Sequence, residues 1–260
     1  MTHVEPGPID PLRDLDIIHN ELRYKDLEQV NKFIAANEKN VERKVGGKEL
    51  AFELEVMREV KTALDAGKDV RAVDWNTKQI EALNKFLFLT AKPMVYLVNL
   101  SKKAYIKKGS KFLPKVAEYV KARGCDDPVL PFSVVFEAEL QKAREDGTET
   151  EFLAECEGAT SMMPRIIHAG YDALDLIHYF TAGHDEVKCW TVRTGTLAPD
   201  AAGVIHTDFM KKFVSADVTP FKDFKECGSE AKCKEMGKTR QQGRTYEVQD
   251  GDICFFKIGA

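Results

Sequence analysis

The chain has 260 residues, 43% of them hydrophobic and 31% charged, and a formal net charge of −4. This length suits one large domain or two ordinary ones, and the composition is typical of a soluble, folded protein. The small negative charge excludes a global basic field that would attract nucleic acid or an anionic membrane, so a nucleic-acid contact would need a local basic patch.

The sequence shows no secretion or membrane signal. The opening stretch MTHVEPGPIDPLRDLDIIH has neither a basic nor an apolar signal region, and no apolar run is long enough to span a bilayer. The six cysteines are scattered, without a CxxC pair or accompanying histidine spacing, which indicates free thiols rather than zinc or disulfides. We therefore expect a cytoplasmic protein with no membrane contact.

Residues 10–73 have the pattern of two long helices. Apolar residues recur at helical spacing from Asp10 to about Arg43, and again from Leu50 to Leu64. Pro11 suits a first helical turn, with Asp10 as its N-cap, and glycines interrupt the pattern after Val45. The pattern predicts an antiparallel helical hairpin, and its heavily charged faces favour a projecting arm.

Between residues 74 and 175, helices alternate with short apolar strands, which predicts α/β layering on a parallel sheet. Only two good strands are present, too few for a free-standing sheet, so the region is predicted to be part of a larger one. The strands lie in KPMVYLVNL and PVLPFS, and the helices begin at Asp74 and cover about 110–122, 134–144 and 161–174.

From about residue 176 the pattern changes to short strands separated by turn residues and one or two helices, which predicts a compact α+β module. The five strand candidates are LIHYFTAG, EVKCWTVR, KFVSADVT, RTYEVQ and DICFFKI.

The first strand of the middle region ends in Asn99-Leu100-Ser101-Lys102. An asparagine at a strand end can offer its amide to a purine edge, and an apolar residue after it can cover the face of the base. In GTP-selective proteins the residue three positions after the asparagine is a carboxylate, whereas here it is Lys102. An asparagine that ends a strand is also a common turn residue, so the pattern alone leaves both interpretations open.

No phosphate loop accompanies this motif. Gly237-Lys238-Thr239 has a lysine where the first glycine of G-x-x-x-x-G-K-[ST] would stand, and Asp200–Gly203 matches a DxxG switch only superficially. Both follow the base-reading loop, which is the wrong order. His168 and His178 lack an HExxH arrangement, so we assign no catalytic residue and no metal ligand.

A local basic patch lies near the end of the chain. A solvated helix and loop would explain it, and so would a surface that contacts RNA phosphates. Its members are Lys232, Lys234, Lys238, Arg240 and Arg244.

Residues 2–258 resemble the Obg-like ATPases of the YchF type. The matching stretches include DWN…IE.LNK.LFLT.KPMVYLVNLS, YFTAG.DEV..WT.R.GT.AP.AAG.IHTDF and GK.RQQGR.Y.V.DGDI.FFK. The resemblance implies an α/β plus α+β fold: a partial P-loop NTPase (Rossmann-like) layer with an inserted helical coiled-coil arm, then a β-grasp TGS domain. It divides the chain into an NTPase remnant (1–9), the arm (10–73), the C-terminal part of the NTPase domain (74–175) and the TGS domain (176–260).

The resemblance also implies ligands and partners. It assigns base contact to Asn99, Leu100, Ser101 and Ser133, with ATP and Mg²⁺ as ligands of the full-length family. Lys102 departs from the glutamate of the family's Asn-x-x-Glu loop. The phosphate loop and switch regions would lie upstream of this chain, so we expect no ATP hydrolysis from it alone. The TGS domain implies the ribosome or RNA, and not DNA, as partner.

Two interpretations follow. In the first, the chain is the C-terminal portion of an Obg-like ATPase that binds and hydrolyses ATP, with GTP as the second candidate nucleotide, and associates with ribosomes. In the second, it is a non-catalytic adaptor that binds the ribosome or RNA through its arm and TGS domain. The apolar strand PMVYLVNL would leave a bare sheet edge in an adaptor, which favours the first interpretation.

Overall fold

The structure is a computed structural model that describes residues 9–183 and 186–259. It is a mixed α/β protein, and it divides into two compact units, the first ending at Ile166 and the second beginning at Ile167. Within these residues, no helix has both the length and the apolar character needed to cross a membrane.

The first unit contains a two-stranded sheet and most of the helices. The helices are α1 (Pro11–Glu42), α2 (Gly47–Asp65), α3 (Thr77–Asn84), α4 (Lys102–Ile106), α5 (Leu113–Ala122), α6 (Val134–Glu145), α7 (Glu149–Glu155) and α8 (Met163–Ala173), and the strands are β1 (Tyr96–Asn99) and β2 (Val129–Phe132). The last turns of α8 belong to the second unit.

The predicted helical hairpin is present as α1 and α2. The Asp10 carboxylate caps α1 by accepting hydrogen bonds from the backbone N–H groups of Leu12 and Arg13. Val30 of α1 and Met57 of α2 are both fully buried, in one apolar cluster with Phe88. The two helices therefore share a core, and the coiled-coil arm stays a prediction.

A buried carboxylate joins α1 to the segment that precedes β1. Asp26 is 1% exposed, and its oxygens accept hydrogen bonds from the backbone N–H groups of Leu89 (2.9 Å) and Thr90 (2.8 Å) and from the Thr90 hydroxyl (2.7 Å). Residues 89–91 form a short 3₁₀ turn, so the carboxylate supplies acceptors to N–H groups that the turn itself cannot satisfy.

The two strands of the first unit are parallel, with Tyr96 opposite Val129 and Asn99 opposite Phe132. Helices α4 and α5 form the connection between them. Parallel strands need such a crossover, and their carboxyl ends meet at one edge of the sheet. This topology brings the predicted base-reading loop next to the loop that follows β2.

Buried ion pairs lie near β1. Arg71 makes a two-pronged contact with the Asp127 carboxylate, with Nη1 and Oδ1 2.6 Å apart, and both side chains are at least 88% buried. Close by, His19 Nε2 and the Tyr96 hydroxyl are hydrogen-bonded at 3.0 Å. Burial, reinforced by the charge of Arg123, lowers the pKa of His19 to about 4, so its imidazole is neutral at physiological pH.

The second unit is built on a five-stranded sheet. Its strands are β3 (Leu176–Ala182), β4 (Val187–Arg193), β5 (Phe213–Pro220), β6 (Arg240–Gln242) and β7 (Asp252–Ile258), and its helices are α9 (Ala198–Ile205), α10 (Thr207–Lys211), α11 (Phe221–Cys227) and α12 (Glu230–Glu235). The strand order is β4-β3-β7-β5-β6; β3 and β7 are parallel and the other pairs are antiparallel.

Helix α9 packs on this sheet through a buried apolar cluster that includes Tyr179, Ala201 and Val218. The Tyr179 hydroxyl donates a hydrogen bond of 2.8 Å to the Ala201 carbonyl, so this buried polar group is satisfied. The α+β character predicted for this part of the chain is observed, and its assignment to the β-grasp fold stays a prediction.

The prediction of a strand in RTYEVQ, residues 244–249, was wrong. This segment bonds instead to the chain before α9: Ala198 N donates to the Tyr246 carbonyl at 2.8 Å, and Val248 N donates to the Thr196 carbonyl at 3.0 Å. The fifth strand is instead β6, which lies immediately before this segment in the chain and pairs with β5.

Candidate functional site

The loops after β1 and β2 are held together by two hydrogen bonds. Leu100 N donates to the Phe132 carbonyl at 2.8 Å, which extends the strand pairing by one residue. The Asn99 side-chain oxygen accepts a hydrogen bond of 3.2 Å from Val134 N, at the start of α6. Asn99 therefore fixes the neighbouring loop while its side chain stays exposed at the surface.

The two predicted serines both cap helices. The Ser101 hydroxyl accepts a hydrogen bond from Ala104 N at the start of α4, and the Ser133 hydroxyl accepts one from Phe136 N at the start of α6. Ser133 is fully buried, whereas Ser101 is exposed. The structure thus places Asn99, Ser101 and Ser133 at one corner, where each supports the local backbone.

Lys102, where the resemblance expects a glutamate, forms an ion pair with Glu139 of α6. Its ammonium nitrogen also lies 4.6 Å from the centre of the Phe152 ring, a cation–π contact. The hydrogen bond to Glu139 raises the pKa of Lys102, so the residue is charged and its carboxylate partner comes from another helix. Sequence reasoning missed Glu139, since nothing in the local pattern connects it to Lys102.

Leu100 lines a pocket of about 350 Å³ that includes none of the other predicted base-contacting residues. The pocket is bounded by the ends of β1 and β2, by α4 and α5, and by the start of α8. Its lining residues are Leu100, Tyr105, Lys108, Ser110, Leu113, Pro131, Ala159, Thr160, Met162 and Arg165. Sequence reasoning missed this pocket because three separate segments of the sequence form it.

The two segments that superficially match phosphate-binding motifs, Gly237–Thr239 and Asp200–Gly203, do not have the geometry of a phosphate loop or a switch loop. Lys238 is paired with Asp223 at 3.0 Å, and the Thr239 hydroxyl is hydrogen-bonded to that of Thr219 at 2.8 Å. Gly237 follows α12 and leads into β6, not from a strand into a helix. Residues 200–203 lie inside α9.

The residues of the predicted basic patch differ in whether their charged groups already have a partner within the protein. Lys232 and Lys234 are exposed on α12 and Arg240 is exposed on β6, and the described residues include no carboxylate that forms an ion pair with any of the three. By contrast, Lys238 is paired with Asp223, and Arg244 donates a hydrogen bond of 2.7 Å to the Phe213 carbonyl.

Known proteins are similar to this chain over its C-terminal part and over its whole length. Residues 176–259 match the YchF GTPase C-terminal family, described as a protein of unknown function. Obg-like ATPase 1 from Caenorhabditis elegans is 50% identical over 260 residues, and that from Homo sapiens is 51% identical. The chain spans 65% of the length of these curated relatives.

Two solved structures share the fold. The Schizosaccharomyces pombe YchF GTPase matches with a TM-score of 0.89 and 39% identity, over 99% of this chain and 68% of that one. A GTP-binding protein from Pyrococcus horikoshii matches with a TM-score of 0.59 at 18% identity, over 98% of this chain and 73% of that one, which shows the fold alone.

These likenesses place the chain in the class of GTPase-related proteins. Within that class, the chain belongs to the family of Obg-like ATPases and YchF GTPases.

Proposed function

We propose that this chain is the C-terminal portion of a cytoplasmic Obg-like ATPase that uses ATP and Mg²⁺, with GTP as the second candidate nucleotide. The observation that carries the proposal is the corner formed by the loops after β1 and β2, where Asn99 holds Val134 N at 3.2 Å. Such a corner can receive a purine at the carboxyl ends of parallel strands, where ligands bind in open α/β sheets.

By itself the chain offers little to a triphosphate. Its Gly-Lys-Thr segment is committed to contacts with Asp223 and Thr219 and is remote in sequence from the corner. Phosphate anchoring depends on charge-assisted hydrogen bonds, and stabilisation of the transition state depends on groups placed around the transferred phosphoryl. Base contacts alone therefore give weak binding without turnover.

The chain alone is expected to release no phosphate from MgATP above the protein-free blank, because those groups are missing from its sequence. A chimera that joins the part of the Schizosaccharomyces pombe YchF GTPase that this chain does not match to this chain is expected to hydrolyse ATP. In that chimera, Asn99→Ala should lower kcat/KM about tenfold, since it removes an amide and releases the Val134 loop.

Asn76→Ala in the same chimera serves as a control, because Asn76 caps α3 and contributes nothing to the corner. Magnesium-dependent turnover by homogeneous chain alone would contradict the inactivity. An inactive but folded chimera, or equal effects of the two substitutions on kcat/KM, would contradict the role given to the corner.

A second candidate function is that of a non-catalytic adaptor that binds RNA or the ribosome. Its support is a set of exposed cations, Lys232, Lys234 and Arg240, which have no ion-pair partner among the described residues. Phosphate oxygens are suitable partners for such cations. Lys238 and Arg244 already have protein partners, so we assign them a structural role.

Replacing Lys232, Lys234 and Arg240 by glutamate is expected to weaken binding of single-stranded RNA and to reduce the slope of log K against log salt by about 2. Fluorescence anisotropy of a labelled RNA at several salt concentrations measures both quantities. Glutamate at Lys48, Lys68 and Lys121, exposed lysines of the first unit, makes the same charge change elsewhere. Equal losses in the two triple variants would show that only net charge matters, and the RNA surface would be rejected.

A further inference from the structure

The pocket beside Leu100 has the features of a small-molecule site. Its volume of about 350 Å³ lies within the range that holds small ligands. Leu100, Leu113, Pro131 and Met162 give it an apolar lining, and of these only Leu100 belongs to the predicted base site.

Two cations line this pocket. Lys108 and Arg165 line it and are both exposed, and neither forms an ion pair within the part of the chain that the structure describes. Ser110 also lines the pocket, and its hydroxyl accepts a hydrogen bond of 3.3 Å from Phe112 N. The nearby carboxylate of Glu137 is occupied, since it accepts hydrogen bonds from the Ser161 hydroxyl at 2.6 Å and from Met162 N at 2.7 Å.

The wall formed by residues 159–162 is fixed before any ligand arrives. The Tyr105 hydroxyl donates a hydrogen bond of 2.8 Å to the Thr160 carbonyl, which ties this wall to α4. The two bonds to Glu137 tie it to α6. A pocket that needs little reorganisation loses less free energy to ordering when it binds.

We propose that this pocket binds a small molecule with a flat apolar body and one anionic group, a carboxylate or a monophosphate. The apolar body is enclosed by Leu100, Leu113 and Met162, and the anionic group is held by Lys108 and Arg165. This site is additional to the corner at Asn99 and Ser133, neither of which lines it, and the proposal does not depend on ATP hydrolysis.

The test titrates the full chain with 2-naphthoate as the probe and measures binding by isothermal titration calorimetry. Saturable binding at one site is expected, and the neutral isostere 2-naphthylmethanol should bind about tenfold more weakly because it lacks the charge-assisted contacts. Naphthyl phosphate, compared with naphthoate, shows which anionic group the two cations prefer; binding of either one supports the site.

Leu113→Trp should abolish binding by filling the pocket, and Lys108→Gln with Arg165→Gln should weaken it about tenfold. Lys103→Gln, an exposed lysine of α4 outside the pocket, is the matched control and should leave affinity unchanged. Circular dichroism checks each fold; if Leu113→Trp does not fold, Met162→Trp replaces it as the filling variant.

The proposal is overturned by an absence of binding, by equal affinity for the neutral isostere, or by naphthoate affinity that survives both the filling and the charge-removing substitutions. It is also overturned if ATP displaces naphthoate, since the pocket would then be part of the nucleotide site. None of these outcomes depends on turnover by the chimera, so the two proposals can fail separately.

Discussion

Replacing Asp26 with alanine is expected to lower the free energy of unfolding of the first unit by about 3–5 kcal/mol. The substitution leaves two backbone N–H groups and the Thr90 hydroxyl without the acceptor that they share in the interior. Each buried donor that loses its partner costs about 1–3 kcal/mol, and Asp26 is only 1% exposed, so water cannot readily replace the carboxylate.

Urea unfolding monitored by circular dichroism measures this loss. Asp26→Asn keeps one acceptor oxygen and should fall between the wild type and the alanine variant. Asp65→Ala is the control, because it removes an exposed carboxylate that pairs with Lys61 on the surface of α2, an interaction worth about 0.5 kcal/mol or less. If the Asp26 and Asp65 variants had equal stability, the contact between α1 and the turn at 89–91 would not stabilise the unit.

Arg71→Met is expected to destabilise the first unit by about 3–5 kcal/mol, because it leaves the Asp127 carboxylate buried without its counter-charge. The pair is two-pronged and its members are 12% and 7% exposed, so the remaining charge stays poorly solvated. Desolvation of an unpaired ion outweighs the packing that methionine preserves.

A double-mutant cycle separates this loss from the net contribution of the pair. Arg71→Met combined with Asp127→Leu should recover most of the stability, because neither charge of this pair is left buried without its partner. As a surface control, Arg58→Met removes the exposed pair with Glu38 and should cost no more than about 1 kcal/mol. Additive losses at Arg71 and Asp127 would show that the two side chains do not interact energetically.

Much of the fold could be predicted because local signals and tertiary packing agree. Asp10 and Pro11 mark the start of α1, and Asn76 with Gln79 forms a capping box at α3. The apolar runs of β1 and β2 lie where their patterns place them. The error at 244–249 arose because strand propensity there is overridden by hydrogen bonds to the segment around Thr196 and Ala198.

The candidate site was less predictable than the fold. Asn99 and Leu100 were predicted from a strand followed by a loop, a pattern contained in a few adjacent residues. The partner of Lys102 is 37 residues away, on a different helix, and the pocket beside Leu100 combines segments that have no common local pattern. Such features depend on how helices pack, and one sequence does not carry that information locally.

The position of β7 in the second unit has a consequence for biosynthesis. Residues 252–258 form the strand that lies between β3 and β5, so the sheet cannot close until they have been translated. Until then, β3 and β5 each lack a neighbour, and the unpaired backbone edges of a nascent chain promote aggregation. The second unit must therefore complete its fold after translation of β7.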